Sequence, residues 1–367
     1  MQAVILAGGE GTRLRPLTST VPKPVVPLVD RPFIAFMLDW LSSHGIDDVV
    51  MSCGHMAHGV RNVLGDGSAV GLRIRYVEEP SPMGTGGALK YAEDLLDERF
   101  LMLNGDSLAD FDLTAQMAWH EAKGARGTLA LVAVPDPSNY GLVKTDEEGC
   151  VTAFIEKPAA DAALENRYVS AGAYVLERSI LELLEPGSPA SIERDVFPRL
   201  VGDGLYAMTV DGYWLDIGTP ERYLQATFDI LEGNVASAVG ARLGPAYLCV
   251  EQRVDNRGRI IPAALVENGC DIAEGARVGG RAVLERGVMV GANTVIERSV
   301  VMQGTEIGAN CVLSGCIVAG GVRIGDNTIV DGMSVLGEGV TVGADNVVSN
   351  GARIFPGVTL PDGALRF

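Results

Sequence analysis

A glycine-rich turn near the start of the chain carries the residues best suited to chemistry. A short apolar run over residues 3–7 leads into Gly8-Gly9-Glu10-Gly11-Thr12-Arg13, and Arg15 and Lys23 follow. Glycines that leave a strand expose successive backbone N–H groups, and nearby basic side chains add positive charge. The segment therefore predicts a polyphosphate-binding site, with a glycine hairpin carrying solvated charges as the alternative.

Two common phosphate-binding patterns do not occur at this turn. The sequence has no G-x-x-x-x-G-K-[ST] string, and Leu14 stands where a dinucleotide fingerprint starting at Gly9 needs its third glycine. The turn therefore belongs to neither class.

The elements around the turn alternate between strand-like and helix-like as far as about residue 232. Apolar runs at 3–7 and 100–103 and the strand-like stretch at 48–52 are typical of strands, whereas 33–43 has helical spacing. This order predicts an α/β, Rossmann-like domain with a mostly parallel sheet, which becomes mixed because the later strands have fewer helices between them. Ligands bind at the carboxyl ends of such strands, where the glycine-rich turn and Asn104-Gly105-Asp106 lie.

The second part of the chain has a different period. Aliphatic residues recur every six positions from Ile272 to Leu360, apart from five-residue steps placed at Met302–Ile307 and Leu313–Val318. A hexapeptide period predicts a left-handed parallel β-helix with the aliphatic residues stacked inside. The predicted organisation is therefore a first domain over 1–232, a linker over 233–265 and a β-helix over 266–367.

Composition excludes several classes of protein. The chain has 367 residues and a net charge of −18, so it lacks the basic surface that nucleic acid requires. No apolar run reaches the roughly 18 residues of a membrane span. The N-terminus does not resemble a signal peptide, so we expect a cytoplasmic protein. Six cysteines without a C-x-x-C pair are expected to be reduced, with no role as zinc ligands or in disulfides.

The glycine-rich turn resembles the signature of sugar-nucleotide pyrophosphorylases, which are nucleotidyltransferases. The resemblance extends over nearly the whole chain, and within the family it is strongest to the mannose-1-phosphate guanylyltransferases. The matching segments are Gly8–Thr18, Pro22-Lys23-Pro24, Asn104-Gly105-Asp106, Tyr140-Gly141, Phe154–Pro158, Ser191-Ile192-Glu193, Trp214–Gly218, Asn350–Arg353 and Pro356-Gly357.

The resemblance implies that a sugar 1-phosphate attacks the α-phosphorus of a nucleoside triphosphate and releases pyrophosphate. Catalysis of this kind is mainly positioning and charge neutralisation. Arg13 would clamp the leaving pyrophosphate, Lys23 would reach the phosphates, and Asp106 with Asp216 would hold Mg²⁺. Some of these motifs have a plainer alternative. Asp106 could be a turn former and Asp216 a helix cap, and Glu156-Lys157, which the resemblance assigns to the sugar phosphate, could be an exposed strand end.

The resemblance also assigns two sets of binding residues. The nucleotide would contact Leu6, Gly8, Gly9, Gly11, Thr12, Arg13, Glu79, Pro82, Gly84 and Thr85. The sugar phosphate would contact Gly105, Gly141, Glu156, Lys157, Ser170 and Gly172.

Two departures from the family pattern affect substrate choice. Ser81-Pro82 resembles thymidylyltransferases, but a carboxylate at Glu78 or Glu79 could accept both the N1 and N2 protons of guanine, which favours GTP. Ser170 replaces the usual asparagine, which leaves mannose or glucose 1-phosphate open.

Three further interpretations follow from the resemblance and from the β-helix. A glucose-1-phosphate thymidylyltransferase, or another sugar-nucleotide pyrophosphorylase, is the alternative enzyme. A non-catalytic regulatory subunit is the alternative of another class, although Arg13, Lys23, Asp106, Lys157 and Asp216 are all present. The β-helix is expected to form a homo-oligomer, a dimer or larger, and it contains no histidine that could serve an acyltransferase.

Overall fold

The structure is a computed structural model that describes residues 1–54, 56–138, 140–156 and 167–366. The chain forms two compact units. The first comprises Met1–Glu10 and Ile34–Trp214, and the second comprises Gly11–Phe33 and the chain from Leu215 onward. No helix in the described part of the chain combines the length and apolarity needed to cross a membrane.

The first unit is built on a mixed sheet, for which nine strands are described. They are β1 (Gln2–Ala7), β2 (Asp48–Cys53), β3 (Arg73–Glu78), β4 (Arg99–Asn104), β5 (Gly127–Ala133), β6 (Gly141–Thr145), β7 (Val151–Glu156), β8 (Tyr168–Glu177) and β9 (Leu205–Thr209). Their order is β7-β6-β8-β4-β1-β2-β3, with β5 also paired to β8 and β9 paired to β5. Strands β4, β1, β2 and β3 are parallel, while β8 is antiparallel to β4. The predicted α/β class with a mixed, mostly parallel sheet is confirmed.

Helices connect these strands where the sequence has helical spacing. They are α1 (Phe33–Ser43), α2 (Ala57–Leu64), α3 (Gly84–Tyr91), α4 (Leu113–Lys123) and the single turn α5 (Phe197–Leu200). Helix α4 begins at Asp112, whose carboxylate accepts the Ala115 N–H, and ends at Gly124 in the left-handed region. The parallel strands β1, β2 and β4 consist almost entirely of buried residues, as expected for strands covered on both faces. The carboxyl ends of these buried strands lie together at one edge of the sheet.

The second unit contains the predicted parallel β-helix. Its strands form three parallel sheets of seven, seven and six described strands. The first sheet contains Leu248–Val250, Ala264–Val266, Ala282–Leu284, Val300–Val301, Ile317–Val318, Val335–Leu336 and Arg353–Ile354. The second contains Asp255–Asn256, Asp271–Ile272, Met289–Val290, Glu306–Ile307, Arg323–Ile324, Thr341–Val342 and Thr359–Leu360. The third contains Arg259–Ile261, Arg277–Gly279, Val295–Glu297, Val312–Ser314, Ile329–Asp331 and Val347–Val348.

The stacked aliphatic residues differ from the predicted set at one position. Leu284 pairs with Val301, and Val301 pairs with Val318, so Val301 occupies the place predicted for Met302. Val301 belongs to the core cluster of the β-helix, whereas Met302 lies one residue further along the chain and outside that cluster. The prediction failed here because two hydrophobic residues stand side by side, and periodicity cannot choose between them. The short step therefore runs from Ile296 to Val301.

The outer side of the first sheet is also buried. Val283, Val300, Ile317 and Val335 precede the core residues by one position, so they point to the opposite face, yet all are fully buried. The second unit also contains two helices, α6 (Pro220–Leu231) and α7 (Ala238–Leu243). Arg281, beside this sheet, contacts the ring of Phe228 in α6 and pairs with Glu232 at 2.6 Å. This sheet is therefore buried on both of its faces.

Segment 11–33, which carries the second half of the glycine-rich turn, is bonded to α6, α7 and the β-helix. The Thr20 hydroxyl donates to Glu338 Oε2 at 2.9 Å. Arg242 of α7 bonds both to Asp30 and to Glu251 of the β-helix, and the Tyr223 hydroxyl of α6 donates to the Pro27 carbonyl at 2.6 Å. The stretch predicted as a linker, 233–265, carries α7 and the first strands of the β-helix.

A column of three carboxylates follows one corner of the β-helix. Glu251, Glu267 and Glu285 each accept a backbone N–H from a residue 17 to 19 positions later, at 2.8–3.0 Å. Glu285 is 6% exposed, and its Oε1 has no hydrogen-bond partner. Burial raises the pKa of Glu267, and it raises the pKa of Glu285 to about 8.

Candidate active site

The glycine-rich turn begins at the carboxyl end of β1, next to the ends of β2 and β3. An ideal Cβ on Gly8 would lie 3.1 Å from Glu79 Oε1, and one on Gly54 would lie 2.8 Å from the Gly8 carbonyl oxygen. Glu79 is held in this position because it accepts the Ser52 hydroxyl at 3.0 Å and the Met83 N–H at 3.3 Å. The two glycines therefore allow a carboxylate and two backbone segments to meet at the edge of the sheet.

Glu78, the other candidate for base recognition, lies elsewhere. It lines a separate small cavity together with Cys53, His58, Arg61 and Tyr76. Adjacent residues at a strand end point to opposite faces, which separates the two carboxylates. Glu79, and not Glu78, is therefore the carboxylate beside the glycine-rich turn.

The loop after β3 is packed against residues 188–192. An ideal Cβ on Gly84 would lie 2.5 Å from the Ala190 carbonyl oxygen, and one on Gly87 would lie 2.8 Å from the Ser188 carbonyl oxygen. The Thr85 hydroxyl donates to Glu193 Oε2 at 2.6 Å. Gly84 thus has a packing requirement in addition to its predicted role at the nucleotide, and Pro82 lies exposed just before it.

Asp106 follows the buried strand β4, as predicted. The Gly105 N–H donates to the Leu6 carbonyl oxygen at 2.9 Å, and an ideal Cβ on Gly105 would lie 2.7 Å from that oxygen. Only glycine permits this approach, and it holds Asp106, half-buried, next to the end of β1.

The residues predicted to contact the sugar lie on β6, β7 and β8. Gly141 pairs directly with Glu156 across β6 and β7, while Lys157 lies outside the described residues. Ser170 and Gly172 lie at an irregularity in β8, where Gly172 has a φ of 70° and packs against Asn104. A β-bulge of this kind re-aims side chains near a site.

An aromatic pair supports this irregularity from one side. The Trp214 indole N–H donates to the Ala171 carbonyl oxygen at 2.8 Å. The Tyr140 ring meets Trp214 edge to face, with 5.3 Å between ring centroids. Both aromatic residues belong to segments that carry the family resemblance, and their observed role is to fix the backbone between Ser170 and Gly172.

In the second unit, the turn continues through Gly11, which has a φ of 62°. Thr12–Leu14 forms a short 3₁₀ turn, and the Thr18 hydroxyl donates to the Gly11 carbonyl oxygen at 2.7 Å. An ideal Cβ on Gly11 would lie 3.2 Å from the Lys23 Cβ, and Lys23 is only 9% exposed. Packing against Gly11 therefore fixes the stem of Lys23.

Arg13 and Asp216 meet at Gly218 in the same unit. An ideal Cβ on Gly218 would lie 2.8 Å from Arg13 Nη2 and 3.2 Å from Asp216 Oδ2. The lack of a side chain at Gly218 therefore leaves room for a guanidinium and a carboxylate at one point. Arg13 is exposed and Asp216 is half-buried, so both groups are accessible to a ligand.

The candidate residues are distributed over both units. Gly11, Thr12, Arg13, Lys23 and Asp216 belong to the second unit, and the other described candidates belong to the first. Asp106 and Asp216 provide the hard carboxylate oxygens that Mg²⁺ prefers. Among the residues that the structure describes, no group of three or more His, Cys, Asp or Glu side chains forms a metal site.

Sequence reasoning assigned no role to three residues that the structure places at the site. Ser52 orients Glu79, while Tyr174 and Glu193 bond to each other at 3.3 Å and also contact Ser170 and Thr85, respectively. Glu193 lies in a segment that carries the family resemblance, so a charged residue in that segment could have been predicted to have a role. Tyr174 offered no signal, because tyrosine in a strand is ordinary.

Two family models match the chain. The model described as "Nucleotidyl transferase" matches residues 2–233, and the model described as "GMPPB C-terminal domain" matches residues 260–363.

Relatives match along much of the chain. A mannose-1-phosphate guanylyltransferase of Mycobacterium tuberculosis is 38% identical, and the match covers 100% of this chain and 98% of that protein. A UTP–glucose-1-phosphate uridylyltransferase of Synechocystis is 32% identical over 78% of this chain and 83% of that protein. Among solved structures, HddC from Yersinia pseudotuberculosis complexed with GMP-PN matches with a TM-score of 0.53 and 28% identity, over 61% of this chain and 97% of that chain.

Proposed function

The chain belongs to the nucleotidyl transferase family, and from that premise we propose that it transfers the guanylyl group of GTP to mannose 1-phosphate, releasing pyrophosphate and forming GDP-mannose. The observation that carries the substrate pair is the full-length similarity to the guanylyltransferase of Mycobacterium tuberculosis, at 38% identity. The position of Glu79 supports the base, and the sugar rests on the relative alone.

Glu79 is suited to reading guanine. Its two oxygens accept one hydrogen bond each from Ser52 and Met83, and a carboxylate has roughly four lone-pair sites. The remaining lone pairs can accept the N1 and N2 protons of guanine, whereas thymine and uracil offer a single N–H donor. A site built to accept two protons discriminates strongly against a base that supplies only one.

The remaining roles follow the chemistry of phosphoryl transfer. Backbone N–H groups of Gly8, Gly9 and Gly11 would hold the triphosphate, Arg13 would stabilise the departing pyrophosphate, and Lys23 would neutralise charge near the α-phosphate. Asp106 and Asp216 are the proposed ligands of Mg²⁺, which when bound neutralises phosphate charge. Lys157 and Glu156 are proposed to bind the sugar phosphate and the sugar hydroxyls.

One experiment tests the substrate pair. Purified protein with Mg²⁺ is assayed for pyrophosphate release with GTP, dTTP, UTP, ATP and CTP, each combined with mannose, glucose and N-acetylglucosamine 1-phosphates. A dominant GTP–mannose signal is expected. A maximum with dTTP or UTP and glucose 1-phosphate would overturn the proposal in favour of the second candidate, a thymidylyl- or uridylyltransferase. Ser81-Pro82 and the Synechocystis relative favour that candidate.

We further propose that the enzyme acts in the cytoplasm as a homo-oligomer assembled through the β-helix. Sedimentation of the purified protein tests this assembly: a dimer or a larger species is expected, and a monomer at the working concentration would contradict it.

A further inference from the structure

A continuous chain of hydrogen bonds links a predicted nucleotide residue, Thr85, to a predicted sugar residue, Ser170, in the first unit. The Thr85 hydroxyl donates to Glu193 Oε2 at 2.6 Å, and the Tyr174 hydroxyl donates to Glu193 Oε1 at 3.3 Å. The Tyr174 and Ser170 hydroxyl oxygens are 2.9 Å apart. Glu193 thus joins the loop of Thr85 to the irregular strand of Ser170, and we call these four residues the relay.

Residues around the π-helical turn hold the Thr85–Glu193 end of the relay. A π-helical turn, Ile192–Val196, begins after Ser191, whose hydroxyl donates to Glu193 Oε2 at 2.9 Å. The Ile192 N–H donates to the Thr85 hydroxyl oxygen at 2.9 Å. Single π-helical turns are rare and occur frequently at functional sites. Thr85 is therefore held by a backbone N–H and Glu193 by the Ser191 hydroxyl, in addition to their bond to each other.

The irregularity in β8 brings the other two residues together. Ser170 pairs with Leu131 and Tyr174 pairs with Leu129, so the four-residue step along β8 faces only a two-residue step along β5. Residues four apart in a regular strand are separated by roughly 13 Å. The bulge shortens that separation, and the long Tyr174 side chain reaches the Ser170 hydroxyl.

Counting donors and acceptors gives the relay a direction. A carboxylate only accepts hydrogen bonds, so when the Tyr174 hydroxyl donates to Glu193, its oxygen is the acceptor for the Ser170 proton. The Ser170 oxygen already accepts the Gly172 N–H at 3.3 Å. What Ser170 has left for a ligand is one lone pair, so it offers an acceptor and no donor.

We propose that Glu193 is a positioning residue that couples the nucleotide loop to the sugar loop and, through Tyr174, makes Ser170 a hydrogen-bond acceptor for a sugar hydroxyl. This inference rests on the proposed function, because it takes Thr85 and Ser170 as substrate-facing residues. It goes beyond that function by assigning coupling and donor–acceptor polarity to residues that had no role.

Tyr174→Phe cuts the relay in the middle, and it is compared with Tyr76→Phe. Tyr76 donates its hydroxyl to the Gly65 carbonyl oxygen and lies outside the relay, so it controls for loss of a tyrosine hydroxyl. Tyr174→Phe is expected to raise KM for the sugar 1-phosphate roughly 3- to 10-fold with less than about 2-fold change in KM for the nucleotide, as for one lost hydrogen bond. Glu193→Gln is expected to raise both KM values. Equal effects of the two phenylalanine variants would overturn the inference.

A double-mutant cycle tests the coupling directly. Thr85→Val and Ser170→Ala are combined in the wild type and in the Tyr174→Phe background, and kcat/KM is measured for the sugar 1-phosphate. Their effects should be non-additive by roughly 3-fold or more in the wild type and additive once Tyr174 is phenylalanine. Additivity in both backgrounds would overturn the inference.

The acceptor polarity has its own readout. A sugar 1-phosphate with fluorine in place of the hydroxyl read by Ser170 keeps an acceptor but loses the donor, so it should bind as weakly as the deoxy sugar. Fluorine restoring binding relative to the deoxy sugar would contradict the proposed direction of the relay. All of these measurements use whichever nucleotide–sugar pair the enzyme turns over, so a pair other than GTP and mannose 1-phosphate would overturn the proposed substrates while leaving the test of the relay intact.

Discussion

The Arg13 guanidinium and the Asp216 carboxylate converge on the α-carbon of Gly218, where a methyl group would lie 2.8 Å from one and 3.2 Å from the other. Both charged groups belong to the second unit and both face a position that the sequence leaves without a side chain. Any side chain at position 218 would therefore collide with these charged groups, and glycine avoids the collision.

Gly218→Ala is expected to lower kcat at least about 10-fold, because it displaces Arg13 from the position in which we propose that it stabilises the departing pyrophosphate. Gly240→Ala is the matched control, because an ideal Cβ there has no neighbour closer than 3.6 Å. The control should keep wild-type kcat. Steady-state kinetics measures kcat of both variants, and thermal unfolding checks that both are folded. Wild-type kcat in Gly218→Ala would contradict the role proposed for Arg13.

Asp106→Asn and Asp216→Asn should each lower turnover by about 100-fold or more while leaving the fold intact. Each change removes a charge but keeps the shape of the side chain, and metal charge stabilisation is worth several kcal/mol. Pyrophosphate release at saturating Mg²⁺, together with circular dichroism, checks both statements. Turnover close to wild type in either variant would refute that residue as a metal ligand.

Glu79→Gln should reduce the preference for GTP over dTTP and UTP by roughly 10-fold or more, because the amide presents a donor to a donor of guanine. Glu78→Gln makes the same chemical change on the neighbouring residue, which faces a different cavity. Ratios of kcat/KM for the three nucleotides are compared between the two variants. A larger effect of Glu78→Gln than of Glu79→Gln would contradict the proposal that Glu79 recognises the base.

Glu285 predicts a pH dependence of stability. Burial raises its pKa from the ordinary 4.5 to about 8, so the folded protein binds a proton that the unfolded chain releases between these values. The free energy of unfolding should therefore fall as pH rises from about 4.5 to 8, and at pH 8 Glu285→Gln should be more stable than wild type by about 4 kcal/mol. Urea unfolding at pH 5 and pH 8.5 measures the difference, with exposed Glu274→Gln as the control. A variant with the wild-type pH slope would exclude Glu285 as its source.

Periodicity and motifs predicted much of this molecule, and the exceptions have physical causes. The six-residue period gave the β-helix, but Met302 was chosen over Val301 because both are hydrophobic and only strand pairing separates them. The sequence left Glu78 and Glu79 as candidates for base recognition, and the structure places only Glu79 beside the glycine-rich turn. The roles proposed for Glu193 and Tyr174 rest on contacts between segments that are distant in the sequence, and no local sequence pattern encodes such contacts.

The packing of segment 11–33 with the β-helix has a consequence for dissecting the enzyme. The boundary between the family models falls between residues 233 and 260, and this would suggest that the first part could be transplanted as a module. Yet Thr20 and Asp30, which follow the glycine-rich turn, bond to Glu338 and to the Arg242–Glu251 pair, all of which come after the first family model ends. Swapping the repeat domain for one from a relative would therefore also change the support beneath Lys23, and chimaeras should be joined so that segment 11–33 and the β-helix come from the same parent.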